Sequence, residues 1–166
     1  MANLNSKAAN HLWNKMRFED FASIHNDKRA ISIKIYSSTC MCKEHCAIEA
    51  YRILENYLSK NSPKDTELVL VQHEHGPELL FWIDQGIQLS AGIIALVSAI
   101  INARAQGIKK GDKGMDSQLE VIVRSFDGKG ILREEKVLKF APTDPVESAA
   151  IGIAIENGIS KILSGK

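Results

Sequence analysis

With 166 residues, 45% of them apolar and 25% charged, the chain has the size and make-up of one compact folded domain. Lysine and arginine number 21 against 20 aspartates and glutamates, a net charge of +1. That balance argues against a nucleic-acid binder, which needs a positive field to collect phosphates. It also argues against an acidic tail or a disordered chain, neither of which holds this much apolar surface.

In chain order, residues 1–28 read as an N-terminal helical arm and 29–166 as a single α+β domain. In the arm, Leu12, Trp13, Met16, Phe18, Phe21 and Ile24 are spaced to lay one apolar side on the main body. Ile31, Ile33 and Ile35 then alternate with polar residues, the period-two pattern of a half-buried strand. After a Ser37–Cys42 loop, a helix is predicted from about Lys43 to Lys60, with Ala47, Ala50, Tyr51, Leu54 and Leu58 on its buried face.

Leu68–Val71 is a continuous apolar run, as expected of a strand covered on both faces. The segment His73-Glu74-His75-Gly76-Pro77 breaks it as a hairpin connection, and Leu79–Ile83 resumes the strand pattern. The stretch Gly86–Ala105 reads as an apolar helix. Its run from Gly86 to Ile101 falls short of the ~20 apolar residues that cross a bilayer, so a buried or interface helix is favoured over a membrane span.

A Lys- and Gly-rich linker, Gly107 to Ser117, separates it from two strands joined at Asp127-Gly128. A last helix is expected to open with Asp144 as N-cap, Pro145 at its first position and Glu147 completing a capping box. Its buried stripe is Ile151, Ile155, Ile159 and Ile162.

The first six elements of this order match the split βαβ of a ferredoxin-like sandwich, followed by an extra C-terminal strand and helix. A thioredoxin-like arrangement, with cysteines after the first strand and Pro77 before a later one, is the alternative.

Cys40, Cys42 and Cys46 crowd into seven residues, an odd and closely spaced set that makes a poor disulfide framework. No secretory signal precedes them, so a reducing, cytoplasmic setting is expected, where clustered thiols serve metal or redox chemistry. With His73 and His75 they offer the thiolate and imidazole ligands that zinc selects. The crossover between the first two strands makes them parallel, bringing these cysteines and histidines to one end of the sheet. The strands' spacing puts them about 5 Å apart, or about 10 Å with one strand between. The C-x-C-x3-C spacing matches no standard zinc knuckle. Cys46 as an inert buried helix residue, with His73 and His75 at the surface, is the plainer alternative. A thiol at a helix start with a histidine base is a third reading, a small thiol- or metal-dependent enzyme using Cys40, Cys42 and His73 or His75.

The Gly86–Ala105 helix carries small residues on one face, Ala91, Gly92, Ala95, Ser98 and Ala99, and bulky ones on the other. A helix apolar on both sides needs two surfaces to lie against, so a protein partner or self-association through this face is expected.

From about Leu68 to Leu163 the chain resembles the effector-associated constant component domains of bacterial conflict systems. The resemblance lies in the apolar strand, the small-residue-rich helix, LEVIVRSFDGKG as strand and turn, a second strand and a closing helix. It implies a non-catalytic adaptor that couples a sensor or effector to its partners.

Overall fold

The structure, a computed structural model, describes residues 17–25, 27–42, 45–61, 68–83, 89–107, 118–141 and 147–165. Leu12, Trp13, Met16, Lys43, Gly86, Asp144, Pro145 and nearly all of the Gly107–Ser117 linker lie outside them.

Ile31, Ile33 and Ile35 sit on strand β1 (Arg29–Ser37) with no exposed surface, as their period-two spacing requires. Around β1 lie β2 (Val69–His73), β3 (Gly76–Ile83), β4 (Leu119–Phe126) and β5 (Leu132–Phe140). The sheet order is β2-β3-β1-β4-β5, and every neighbouring pair is antiparallel. β1 and β2 therefore run in the same direction with β3 between them, as the crossover argument requires. The thioredoxin-like alternative calls for parallel neighbours, and this sheet has none among the described strands.

Helices α2 (Ile48–Lys60), α3 (Ala91–Gly107) and α4 (Ser148–Ser164) share one core with Ile31, Ile33, Ile35, Leu79, Phe81, Val121 and Val123, so all three cover one face of the sheet. Tyr51, Leu54 and Leu58 of α2 point into that core. So do Ile151, Ile155, Ile159 and Ile162 of α4, the stripe their spacing predicts. The opposite face is capped by the short helix α1 (Phe18–Ala22). Its Phe21 stacks on Trp82 at 4.7 Å between ring centres and its Phe18 on Phe126 at 5.6 Å. Leu68–Val71 is apolar for this reason: Leu70 enters the helix-side core and Val71 the α1-side cluster, although β2 is an edge strand.

Three helix starts differ from the sequence expectation: α2, expected from about Lys43, begins at Ile48 after the turn closed on the Cys42 carbonyl. α3 begins at Ala91, where the Ser90 hydroxyl accepts the Ile93 amide at 3.3 Å. α4 begins at Ser148 with Glu147 in the cap position and no side-chain capping bond, so the Glu147 box does not form. Among the described residues, no helix is long and apolar enough to cross a membrane. The strand connection at Asp127 is as expected in place, but the left-handed residue is Gly130 and not Gly128. Asp127 holds the turn by accepting the amides of Lys129 and Ile131 at 2.8 and 3.0 Å.

The β2–β3 hairpin turns through Glu74 and His75, with His73 paired to Gly76. Gly76 has φ of +134°, and a Cβ there would lie 2.0 Å from the Ile35 carbonyl oxygen. β3 approaches β1 this closely only because the residue has no side chain. Gly76→Ala is expected to cost about 3 kcal/mol or more, combining backbone strain with a steric overlap that no rotamer relieves. Gly128→Ala, with nothing within 4 Å, serves as control and should stay within about 0.5 kcal/mol of the parent. Urea unfolding of both variants measures the contrast, and equal midpoints would contradict it.

Candidate functional site

The segment after β1 is pinned to the β2–β3 turn. The Ser37 amide donates to the His75 carbonyl at 2.8 Å, and the Met41 amide to the Glu74 carbonyl at 2.7 Å. Met41 is buried, and its carbonyl accepts the Tyr51 hydroxyl at 3.1 Å, which fastens the same loop to α2. The amides of Cys46 and Ala47 fold back on the Cys42 carbonyl at 3.3 and 3.0 Å, forming a turn just before α2. These bonds gather the cysteines. All three sulfurs lie within 4.8 Å of one another, and each residue is half-buried.

Cys40 and Cys46 stand at disulfide distance, 2.21 Å, with Cα atoms 5.9 Å apart. Cys42 is the free thiol of the three, its sulfur 3.3 Å from that of Cys40. Three sulfurs gathered this way form a group that could hold a metal ion. A Cys40–Cys46 bond withdraws two of them.

The histidines reach the same end of the sheet but go elsewhere. His75 Nδ1 lies 3.3 Å from the Thr39 carbonyl, one residue from Cys40, with its ring 5.4 Å from Tyr36. His73 Nε2 is 2.6 Å from Glu78 Oε2. Neither histidine joins the cysteine group among the described residues. The reason is local: β3 separates the strand ends, and Glu78 supplies His73 with a charged partner first.

Glu78 is the residue that sequence reasoning missed. It lies on the α1-side face of β3 with its side chain 2% exposed, and its carboxylate is bonded from three other strands. Ser32 of β1 donates at 2.5 Å, His73 of β2 meets the other oxygen, and Arg124 of β4 pairs through a guanidinium nitrogen. Arg124 also stacks over the Phe18 ring of α1, 5.2 Å from its centre. Burial pushes the Glu78 carboxyl up, but the hydrogen bonds from His73 and Ser32 and the Arg124 charge outweigh it and hold the group down at about 2. The available signal was a lone Glu in the apolar run of Gly76–Ile83, with Arg124 as the one basic residue of LEVIVRSF.

The predicted interface residues divide. Ser98 is buried, donating to the Ile94 carbonyl at 2.9 Å and to the Ser148 hydroxyl of α4 at 3.0 Å. Ala95 and Ala99 are half-buried, and Ala91 and Gly92 are exposed. α3 packs against both α2 and α4, so its second surface comes from its own chain. Comparison with protein-family models, curated proteins and solved structures finds no match to this chain.

Folded Glu78 titrates at about 2 against an ordinary value of 4.5. Its contribution to stability is therefore complete above the ordinary value and is lost as pH falls from there toward about 2. Glu78→Gln should cost about 3 kcal/mol near neutral pH, because Arg124 loses the charge that faces it. The gap between parent and variant should close as the pH is lowered through that window. Chemical denaturation at several pH values reads it, and a gap independent of pH would rule the assignment out.

Proposed function

We propose that this protein is a non-catalytic adaptor or regulatory module that works by binding another protein, in a bacterial conflict or signalling setting. The observation that carries the reading is a cluster of exposed small and apolar residues on α3 and α4. Ala91 and Gly92 on α3, with Ala149, Ala150 and Ile153 on α4, are all exposed, and Ile153 is 61% exposed. The two helices meet directly at this level, with the Ile94 side chain against Gly152. Exposed apolar and small residues gathered on two adjoining helices are the composition of a contact surface, and Glu156, which accepts the Leu89 amide at 3.0 Å, stands at its rim. Ala95 and Ala99, half-buried beside them, extend the same small-residue face.

The Glu78 network points the same way. Its carboxylate is held as an anion with both oxygens engaged, which suits a fixed scaffold and not a group that must exchange a proton. The sheet order β2-β3-β1-β4, with both crossover helices on one face, supports reading the fold as a ferredoxin-like split βαβ extended by β5 and α4. The resemblance of residues 68–163 to conflict-system domains supplies the biological setting.

A second reading follows from the cysteine loop: a metal- or thiol-dependent activity. The three sulfurs within 4.8 Å favour it. Zinc is the ion that this donor set suits, with Cys40, Cys42 and Cys46 as ligands and a fourth position left for water or another group.

For the adaptor, sedimentation and capture of bound proteins from extracts of its own cells should show association that Ile153→Lys and Ala95→Lys abolish. Ile153→Lys should leave the melting temperature unchanged, since the side chain is exposed. A wild type that stays monomeric at high concentration and captures the same proteins as the variants would sink the reading.

A further inference from the structure

We propose that Cys40, Cys42 and Cys46 form a redox-gated site for one borderline divalent cation of the zinc type. The reduced loop would bind the ion through three thiolates, and formation of the Cys40–Cys46 disulfide would expel it. The inference deepens the metal reading above and rests on it.

The gate follows from atoms used twice. The three sulfurs that could surround one ion include the two that stand at disulfide distance. A sulfur in a disulfide has no thiolate charge to give a metal, so the two states exclude each other. Cys42 alone would remain after oxidation, and a single thiolate holds a borderline cation poorly. The backbone holds the three cysteines together independently of any bond between their sulfurs. Cys40 is carried by the loop that Ser37 and Met41 pin to the hairpin, and Cys46 by the turn closed on the Cys42 carbonyl. All three residues are half-buried, so the ion is shielded while a small oxidant still reaches the sulfurs.

The step balances with a low-molecular-weight disulfide as oxidant. The Cys40 thiolate attacks one sulfur of that disulfide, forming a mixed disulfide and releasing one small thiolate. The Cys46 thiolate then attacks the Cys40 sulfur and expels the second small thiolate. Two electrons pass from the protein pair to the oxidant. The cation leaves into water, and Cys42 takes up a proton. A small dithiol reductant reverses the exchange, and the protons on the three thiols are released again when the ion returns.

The test uses the full chain, reduced and freed of reductant without air, and titrated with cobalt(II) as a spectroscopic stand-in for zinc. We expect one equivalent to bind, with a sulfur-to-cobalt charge-transfer band and the visible bands of tetrahedral cobalt, both displaced by zinc. Glutathione disulfide should then abolish the bands, and the protein should become lighter by two hydrogens with a cross-link mapped to Cys40 and Cys46. Cys42→Ser should keep the cross-link and lose the charge-transfer band. Circular dichroism confirms that the variant is folded, and the comparison of oxidised with reduced wild type needs no variant at all. If reduced protein binds no cobalt, the metal reading fails and the gate with it. If oxidised and reduced protein bind cobalt alike, the metal reading stands and the gate is overturned. Tight binding by Cys42→Ser would overturn the three-sulfur set.

Discussion

Glu78 is a carboxylate removed from water on the inner strand β3 and bonded by a serine, a histidine and an arginine from three different strands. A buried anion is costly unless each oxygen is matched, and here the matching groups come from β1, β2 and β4. The network therefore forms only when those four strands are in their native alignment. Slipping any strand by one residue moves its polar group to the other face and leaves the carboxylate short of a partner. The apolar positions on the helix side favour burial but tolerate small shifts, whereas this cluster selects one register. The same Arg124 carries Phe18 on its face, so the position of α1 follows from the network as well.

The helix layer solves a different problem. α3 is apolar nearly all round, which in isolation asks for a second molecule. In the folded chain it lies between α2 and α4 above the sheet, and its bulky residues Ile93, Leu96, Val97, Ile100 and Ile101 are buried by them. Ser98, small enough for close packing, becomes the hydrogen-bonded contact to Ser148. What is left of the small-residue face shifts toward the start of α3 and is widened by Ala149, Ala150 and Ile153 of α4. A β-bulge between Val121 and Ile122 in the β4–β5 pairing leaves Val137 without a partner, and its side chain lies over Gly158, seating α4 on the sheet.

The cysteine loop and the Glu78 network sit at the same end of the sheet and share one support, the β2–β3 hairpin. Glu74 and His75 of the turn hold the loop through their carbonyls, while His73 just before it holds Glu78. Gly76 is where the hairpin backbone lies against the Ile35 carbonyl of β1, so a change there disturbs both. In a reducing compartment the loop presents three thiols; under oxidation it presents a closed pair and one thiol.

Much of the architecture is written in local patterns. The alternation Ile31, Ile33, Ile35 and the stripe Ile151, Ile155, Ile159, Ile162 specify their buried faces, because periods of two and 3.6 are properties of a single element. The crossover between the first two strands likewise placed the cysteines and histidines at one end of the sheet. The gathering of Cys40, Cys42 and Cys46 was legible from their closeness in the chain. Pairing across strands was not. Glu78 and Arg124 are 46 residues apart and carry no mutual signal in the sequence, so only the register of β3, β1 and β4 brings them together. The same register gave His73 to Glu78 in place of the cysteines. Sequence thus determined which faces are buried, since burial follows from side-chain periodicity. Tertiary structure alone decided which polar groups meet, since that depends on how separate strands align.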